Sequence, residues 1–357
     1  MRIAQVIDSL DVGGAEQMAV NYANALSREI SFSGIVVTRR EGSLKSRIVE
    51  GVEYLFLNKK KVIDWNAVFR LKEYCKKNKV QFLQPHSSSY FLAFLVKLVY
   101  PKIQIVWHDH NGLSEFLSSQ KWIPLKIASF FFKGIVVVNY QLKNWATKEL
   151  NCKDVIYLPN FTHQQNEKLS ETVLKGNEGK RILCLANLRD QKNHFLLIRV
   201  AEKLSKSHPD WTFHLVGKDF EDEYSEKLKA FILSNQLGEN VFSYGTRNDV
   251  TSIINQSEIA ILTSKSEGLP VALLEYGLNK KPVVVTRVGE IPMIIENGKN
   301  GYVVPSDDDE QFYKSLVALI ENLDLRNEFG NSLHKTIIAS NSEKTIIREY
   351  LKWIKEL

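Results

Sequence analysis

Short apolar runs recur along this chain, each followed by a polar turn and then by a longer stretch whose apolar residues fall at helical spacing. In the first half, Arg2–Ile7, Gly34–Thr38, Val52–Leu57, Val80–Gln84, Ile103–Trp107, Gly134–Val138 and Val155–Asn160 read as strands. In the second half the same reading applies to Arg181–Ala186, Trp211–Gly217, the stretch from Val241, Ile259–Leu262 and Lys281–Val285. Runs this continuous in Val, Ile and Leu belong to strands buried on both faces of a parallel sheet. Between them, Ala15, Ala19, Ala23 and Leu26 mark one helix, and Asn66–Lys77, Tyr90–Val99, Gln141–Leu150 and Glu343–Lys355 mark others. Strand and helix therefore alternate throughout, which predicts an α/β fold built from parallel units.

The 357 residues are too many for one typical α/β core and suit two domains of about 150–200 residues. A polar run from His163 to Lys180 reads as the connection between them. The expected division is residues 1–165, residues 166–340, and a last helix over 341–357 that crosses back to the first domain. A composition of 44% hydrophobic and 25% charged residues can bury a sizeable core, and the net charge of +6 favours anionic ligands or an anionic membrane surface. It does not imply nucleic acid. Cys75, Cys152 and Cys184 are too far apart to form a metal site by spacing and read as reduced, buried thiols of a cytoplasmic protein. No signal peptide precedes the first strand, and the most apolar stretch, residues 127–138, is interrupted by Lys133 and Gly134 and is shorter than a span of ~20 residues requires.

Candidate chemistry sits where strands end. After Ile259–Leu262 comes Thr263-Ser264-Lys265-Ser266-Glu267-Gly268-Leu269-Pro270, with a proline suited to the first helical position, so a helix is expected from about Pro270. Its N-terminal N–H groups and its positive dipole end favour a phosphate, with the N–H groups of Gly268 and Leu269 in the turn just before it. Glu275 lies about a turn and a half into that helix, where it can face the same crevice as Glu267. After the first strand, Gly13-Gly14 lets a backbone approach a diphosphate, because no Cβ intervenes and left-handed angles cost glycine little. His108-Asp109-His110 ends another strand; two histidines and one acid at that spacing are incomplete for zinc. Lysines beside aromatic residues at Asn66–Lys77 and Lys121–Phe132 fit either a core or solvated helix, or one lying on a membrane surface.

Glu267-Gly268-Leu269-Pro270 with Glu275, followed by Lys281–Thr286 and Val288-Gly289-Glu290-Ile291-Pro292, resembles the EGLP, E-x7-E and GGIPE segments of the family 4 retaining glycosyltransferases. Gly13-Gly14-Ala15-Glu16 resembles their GGAE turn, and Trp211–Gly217 their LVG turn near the nucleotide. The segment from Phe242 through Gly245 and Arg247 to Val250 resembles their FxGxRxDV stretch, where main-chain groups read the base. The likeness covers nearly the whole chain and is more specific in the second half. It implies the GT-B fold, two Rossmann-like domains facing each other across a cleft.

The resemblance also implies roles. Lys192 matches a lysine that grips the diphosphate leaving group, whereas Asn187 stands where an arginine is expected and Arg189 is near enough to replace it. Glu275 would bind the nucleotide ribose and Glu267 the sugar hydroxyls. A histidine beside the donor sugar would be His108 or His110, with His108 preferred as the residue immediately following the strand. Met293 departs from a common glutamate. The implied reaction moves a sugar from a nucleotide diphosphate sugar to an acceptor hydroxyl with retention and no metal or other cofactor. The acceptor expected is a glycan or lipid-linked glycan of surface polysaccharide assembly at the inner membrane face. A soluble small-molecule acceptor and a non-catalytic nucleotide- or glycan-binding relative remain as alternatives, while a dinucleotide-dependent oxidoreductase would need a G-x-G-x-x-G turn that is absent after the first strand.

Overall fold

The structure, a computed structural model, describes residues 1–110, 123–162 and 171–357. Asn111, Gly112, Lys121, Trp122 and the first part of the expected linker, residues 163–170, lie outside the described residues. The chain forms two compact units, Met1–Phe161 with Glu343–Leu357, and Thr162–Ser342.

In the first unit seven strands form one parallel sheet in the order β3-β2-β1-β4-β5-β6-β7. They are β1 Arg2–Ser9, β2 Phe32–Arg40, β3 Val52–Phe56, β4 Phe82–Pro85, β5 Gln104–Asp109, β6 Phe132–Val137 and β7 Val155–Tyr157. The strand period of two sends alternate residues of β1 to opposite faces. Ala4 and Val6 join the core that also holds Leu83, Ile105, Trp107 and Ile135, covered by helices α2 Trp65–Lys77, α3 Tyr90–Val99 and α4 Ile123–Ala128. Ile7 packs on the other face with Ala19, Ala23 and Ile35 beneath helix α1 Gly14–Ser27. The C-terminal helix Glu343–Glu356 belongs to this unit and buries Ile346, Ile347, Tyr350 and Ile354.

The second unit carries six strands in the order β10-β9-β8-β11-β12-β13. These are β8 Arg181–Leu185, β9 Thr212–Val216, β10 Val241–Ser243, β11 Ile259–Leu262, β12 Val283–Thr286 and β13 Tyr302–Val304, again all parallel. Both faces are covered, one by a core around Ile182, Cys184, Phe213 and Ile261, the other by one around Leu183, Ala260, Leu274 and Val285. The change of direction in strand order falls between β8 and β11, and a crevice outside the carboxyl ends of such neighbouring strands is where open α/β sheets bind ligands.

All three cysteines are free and buried, and burial pushes the Cys75 and Cys184 thiols up to about 12. Among the described residues no helix is long and apolar enough to cross a membrane.

Candidate active site

The loops leaving β8 and β11 are tied into one platform. The Lys265 amide donates to the Gln191 carbonyl at 2.8 Å, and the Gln191 side chain returns a bond to the Ser266 carbonyl at 2.8 Å. Thr263 donates its hydroxyl to the Lys192 carbonyl at 2.9 Å. On the other side, Thr286 at the end of β12 donates to the Ser264 carbonyl at 2.6 Å, and the Glu290 amide donates to the Gly268 carbonyl at 3.0 Å. Gly289 makes that last approach feasible: its φ is +53°, and a Cβ there would stand 2.1 Å from the Glu267 carbonyl oxygen.

On this platform Lys192 and Glu267 meet. The Lys192 Nζ is 2.6 Å from Glu267 Oε1, which also accepts the Ser264 hydroxyl at 2.6 Å. The Glu267 side chain is 7% exposed and that of Lys192 23%, so the pair sits in a medium where charge interactions are stronger than in water, with one side open. An adjacent anion would find an ammonium and a set of helix N-terminal amides already in place. Helix Val271–Leu278 begins one residue later than expected, because Pro270, with an extended ψ of 126°, is its N-cap rather than its first helical residue. Tyr276 anchors the helix by accepting the Leu185 amide at 2.6 Å, and Glu275 beside it is half-buried.

Asn187 does not supply the missing cation; its Oδ1 accepts the Lys218 amide at 2.8 Å and so joins the ends of β8 and β9. The Arg189 guanidinium lies over the Phe220 ring at 4.4 Å, and the Lys218 ammonium is 5.4 Å from the same ring. Lys218 is thus a second cation at this edge that sequence reading did not single out. Gly217 is required by packing, since a Cβ there would stand 2.1 Å from the Ala186 carbonyl oxygen. Its amide donates to the Gly245 carbonyl at 3.0 Å, and Gly245 adopts φ +65°. Arg247 is exposed and donates to the neighbouring Thr246 carbonyl at 3.2 Å.

The first unit gathers a different set at its strand ends. Gly13 caps α1 with an extended backbone, φ −163°, so this turn does not use the left-handed angles that were expected of it. A Cβ at Gly14 would meet nothing within 4 Å. Packing therefore leaves room above Gly14.

His86 follows β4 and bridges to His108 on β5. The His86 Nδ1 is 2.8 Å from His110 Nε2, and the His108 and His110 rings stack with centroids 4.0 Å apart. Behind them, Gln5 Oε1 lies 2.7 Å from His86 Nε2, while Gln5 donates to Gln84 Oε1 at 3.2 Å. Tyr350 donates to the same Gln84 oxygen at 2.5 Å, which leaves the Gln84 amide nitrogen to donate to His108 Nδ1 at 3.0 Å. This wiring fixes the tautomers. His86 donates from Nε2 to Gln5, so its Nδ1 must accept from the Nε2–H of His110; the Nδ1 of His110 then keeps its lone pair. His108 carries its proton on Nε2, which is buried without a partner among the described residues.

Burial holds the His110 imidazolium off, lowering its pKa to about 3; His86 and His108 are held well below the ordinary range by burial first and by the neighbouring imidazoles second. All three are neutral at pH 7.

Two expectations are corrected here. β5 runs through Asp109, so His108 lies inside the strand, 1% exposed, and His110 is the histidine that follows the strand end. The extra hydrogen-bonded residues carry His108 into the sheet. Among the described residues, the group that could hold a metal ion is His86, His108 and His110, with donor nitrogens within 4.8 Å of one another, and does not include Asp109. Both nitrogens of His86 are spent on His110 and Gln5. Gln5, Gln84, His86 and Tyr350 were not assigned by sequence; polar residues inside apolar strands were the signal that could have found the two glutamines.

Comparison with solved structures shows that the chain has the fold of GT-B glycosyltransferases. Anabaena HepE, solved with UDP and glucose, matches over 100% of both chains with a TM-score of 0.81 at 17% identity. Residues 165–336, just under half of the chain, match the family described as Glycosyl transferases group 1. Among curated relatives, an uncharacterized glycosyltransferase of Haemophilus influenzae is 25% identical over 88% of each chain. A UDP-Gal:alpha-D-GlcNAc-diphosphoundecaprenol alpha-1,3-galactosyltransferase of Escherichia coli is 22% identical, covering 94% of this chain and 92% of that one.

Proposed function

We propose that this glycosyltransferase moves a sugar, with retention and without a metal, from a nucleotide diphosphate sugar to a hydroxyl of a lipid-linked glycan in surface polysaccharide assembly, on the cytoplasmic side of the membrane. The observation that carries the reading is the Lys192–Glu267 pair, half-enclosed on loops laced together at the strand ends. The nature of the acceptor is supported by the Escherichia coli relative, whose name places its substrate on diphosphoundecaprenol.

In this reading Lys192 meets the negative charge that builds on the departing diphosphate, with Arg189, the Gly13-Gly14 turn and the amides at Gly268 and Leu269 adding to it. Positive charge and oriented amides do here what a metal does elsewhere. Glu275 takes the ribose hydroxyls, since one carboxylate accepts from both. Glu267 holds sugar hydroxyls near the anomeric carbon. His110 replaces His108 as the histidine beside the sugar, because its Nδ1 lone pair is at the strand end and can accept from a hydroxyl, whereas His108 is enclosed. The anomeric carbon–phosphate oxygen bond breaks as the acceptor oxygen attacks from the same face, and the acceptor proton passes to the departing phosphate oxygen. No side chain of the platform stands out as a covalent nucleophile.

The test is calorimetry of the full chain against nucleotide diphosphates and their sugars, with and without EDTA. The expected result is EDTA-insensitive binding of one nucleotide diphosphate, weakened about tenfold or more by Glu275→Ala. Binding abolished by EDTA, or absent across the panel, would overturn it.

A further inference from the structure

The large apolar side chains left in solvent are not scattered. Of the sixteen that are exposed among the described residues, nine fall between Val62 and Phe131. One group is Val62, Ile63, Trp65 and Phe69 at the start of α2; the other is Leu98 on α3 with Ile123, Ile127, Phe130 and Phe131 on and just after α4. Helices α2, α3 and α4 lie side by side on one face of the first sheet, α3 in the middle. Their outward surfaces form one layer.

Ordinary amphipathic helices present polar residues to water. Here part of the outer face is apolar as well, at the start of α2 and along α4. On α4, Leu125 and Ala128 are buried at 3% and 0%, yet Ile123 and Ile127, one turn apart, are exposed at 70% and 52%, and Phe130 continues the stripe at 69%. On α2, Ala67, Val68 and Leu71 face the core while the Trp65 and Phe69 rings lie tilted against one another outside, centroids 6.4 Å apart. Phe131 packs at 5.3 Å against Phe94 of α3, which links the two helices at the surface.

The charges on this layer have one dominant sign. Residues 90–103 and 123–131 contain three lysines, Lys97, Lys102 and Lys126, and no aspartate or glutamate. Lys60 and Lys61 stand exposed before α2, and the Lys72 ammonium lies 5.7 Å over the Phe69 ring. The acids of α2 are already committed: Asp64 caps the helix by accepting the Ala67 amide at 3.1 Å, and Glu73 pairs with Lys76 at 3.2 Å. Apolar and aromatic side chains rimmed by lysine suit the boundary between lipid headgroups and acyl chains, where aromatic rings are half-immersed and lysines meet anionic headgroups.

We infer that the outer surface of α2, α3 and α4 docks on a bilayer containing anionic phospholipid. The inference gives a location to the lipid-carried acceptor proposed above and rests on that reading for its purpose. α3 starts four residues after His86, so the docking layer begins beside the strand ends where His86 and His110 sit.

The experiment is flotation of the full chain with vesicles of phosphatidylglycerol and phosphatidylcholine, compared with vesicles of phosphatidylcholine alone, over a range of salt. Binding is expected to the anionic vesicles, weakened at least severalfold by raising salt from about 0.05 to 0.5 M, because the Debye length shrinks. Ile127→Ser with Phe130→Ser should lower vesicle binding at least tenfold while leaving the melting temperature and nucleotide binding unchanged, since both side chains are exposed. Lys126→Glu with Lys102→Glu should lower it on anionic vesicles as well. No binding to anionic vesicles, equal binding to neutral ones, or wild-type binding by both double variants would overturn the inference. Loss of nucleotide binding by the parent protein would instead strike the transferase reading, and leave the vesicle result standing on its own.

Discussion

Lys192 Nζ and Glu267 Oε1 lie 2.6 Å apart although their residues are separated by 75 positions, and Ser264 shares the same carboxylate oxygen. Each end of this pair comes from the carboxyl end of a neighbouring strand, β8 and β11, so parallel pairing itself brings them together.

Lys192→Ala removes the cation proposed to meet the leaving group and leaves Glu267 buried with Ser264 as its remaining side-chain partner among the described residues. Turnover should fall by roughly two to three orders of magnitude, the usual loss for one group that stabilises developing charge. Stability should fall by about 1–3 kcal/mol, because the carboxylate loses its partner in a poorly solvated place. Steady-state rates taken well below the melting temperature separate the two effects; near-wild-type turnover would remove Lys192 from the chemistry.

The histidine wiring predicts a spectrum. In the ligand-free protein at pH 7, nitrogen-15 correlation spectra should find His110 as a neutral ring protonated on Nε2, and His86→Ala should release it into a mixture of tautomers. A His110 ring already mixed, or protonated on Nδ1, in the unaltered chain would contradict the hydrogen-bond order from Gln5 outward.

Two glycines should behave oppositely. Alanine at Gly217 would place its Cβ 2.1 Å from the Ala186 carbonyl oxygen, a backbone atom that cannot rotate away, and should destabilise by about 1–3 kcal/mol or more. Alanine at Gly14 meets nothing within 4 Å and sits at the first helical position, so the melting temperature should hold or rise slightly. Its cost should show in donor affinity instead. Unchanged donor affinity in Gly14→Ala would take the diphosphate away from this turn.

Acid should unfold the protein early. His110, His194 and His214 are lowered to about 3, 4 and 3, each first of all by burial, and His86 and His108 lie in the same direction. Between these values and the unfolded value near 6.5 the unfolded chain binds more protons than the folded one, so stability rises with pH across that window. It is complete above about pH 6.5 and is lost as pH falls toward 4, by about 3 kcal/mol for His194 alone. Thermal melts from pH 7.5 to 4.5 should show a steadily falling transition; a flat profile would mean that these rings are hydrated.

Much was written in the sequence because it depends on neighbours along the chain. The run Ile259–Leu262 has its strand bounds at the same residues in the structure, since four apolar residues closed by a polar turn leave no other period to fit. The Glu267–Pro270 turn and its helix were legible from a proline and a glycine within a few positions, and the lysine of the platform from a resemblance that needs no coordinates. Strand ends were less so: β5 continues through Asp109 because its partner β6 offers hydrogen bonds that far, which no local pattern announces, and that alone moved the histidine that follows the strand from His108 to His110.

What only the tertiary structure decided are the contacts between distant segments. Gln5, Gln84 and Tyr350 meet from positions up to 345 residues apart to set the state of two histidines, and Asn187 turns from a misplaced ligand into a latch because the Lys218 amide comes to stand 2.8 Å away. A side chain's role here is fixed by what the fold brings to it, and periodicity reports which face a residue takes without naming its partner across that face.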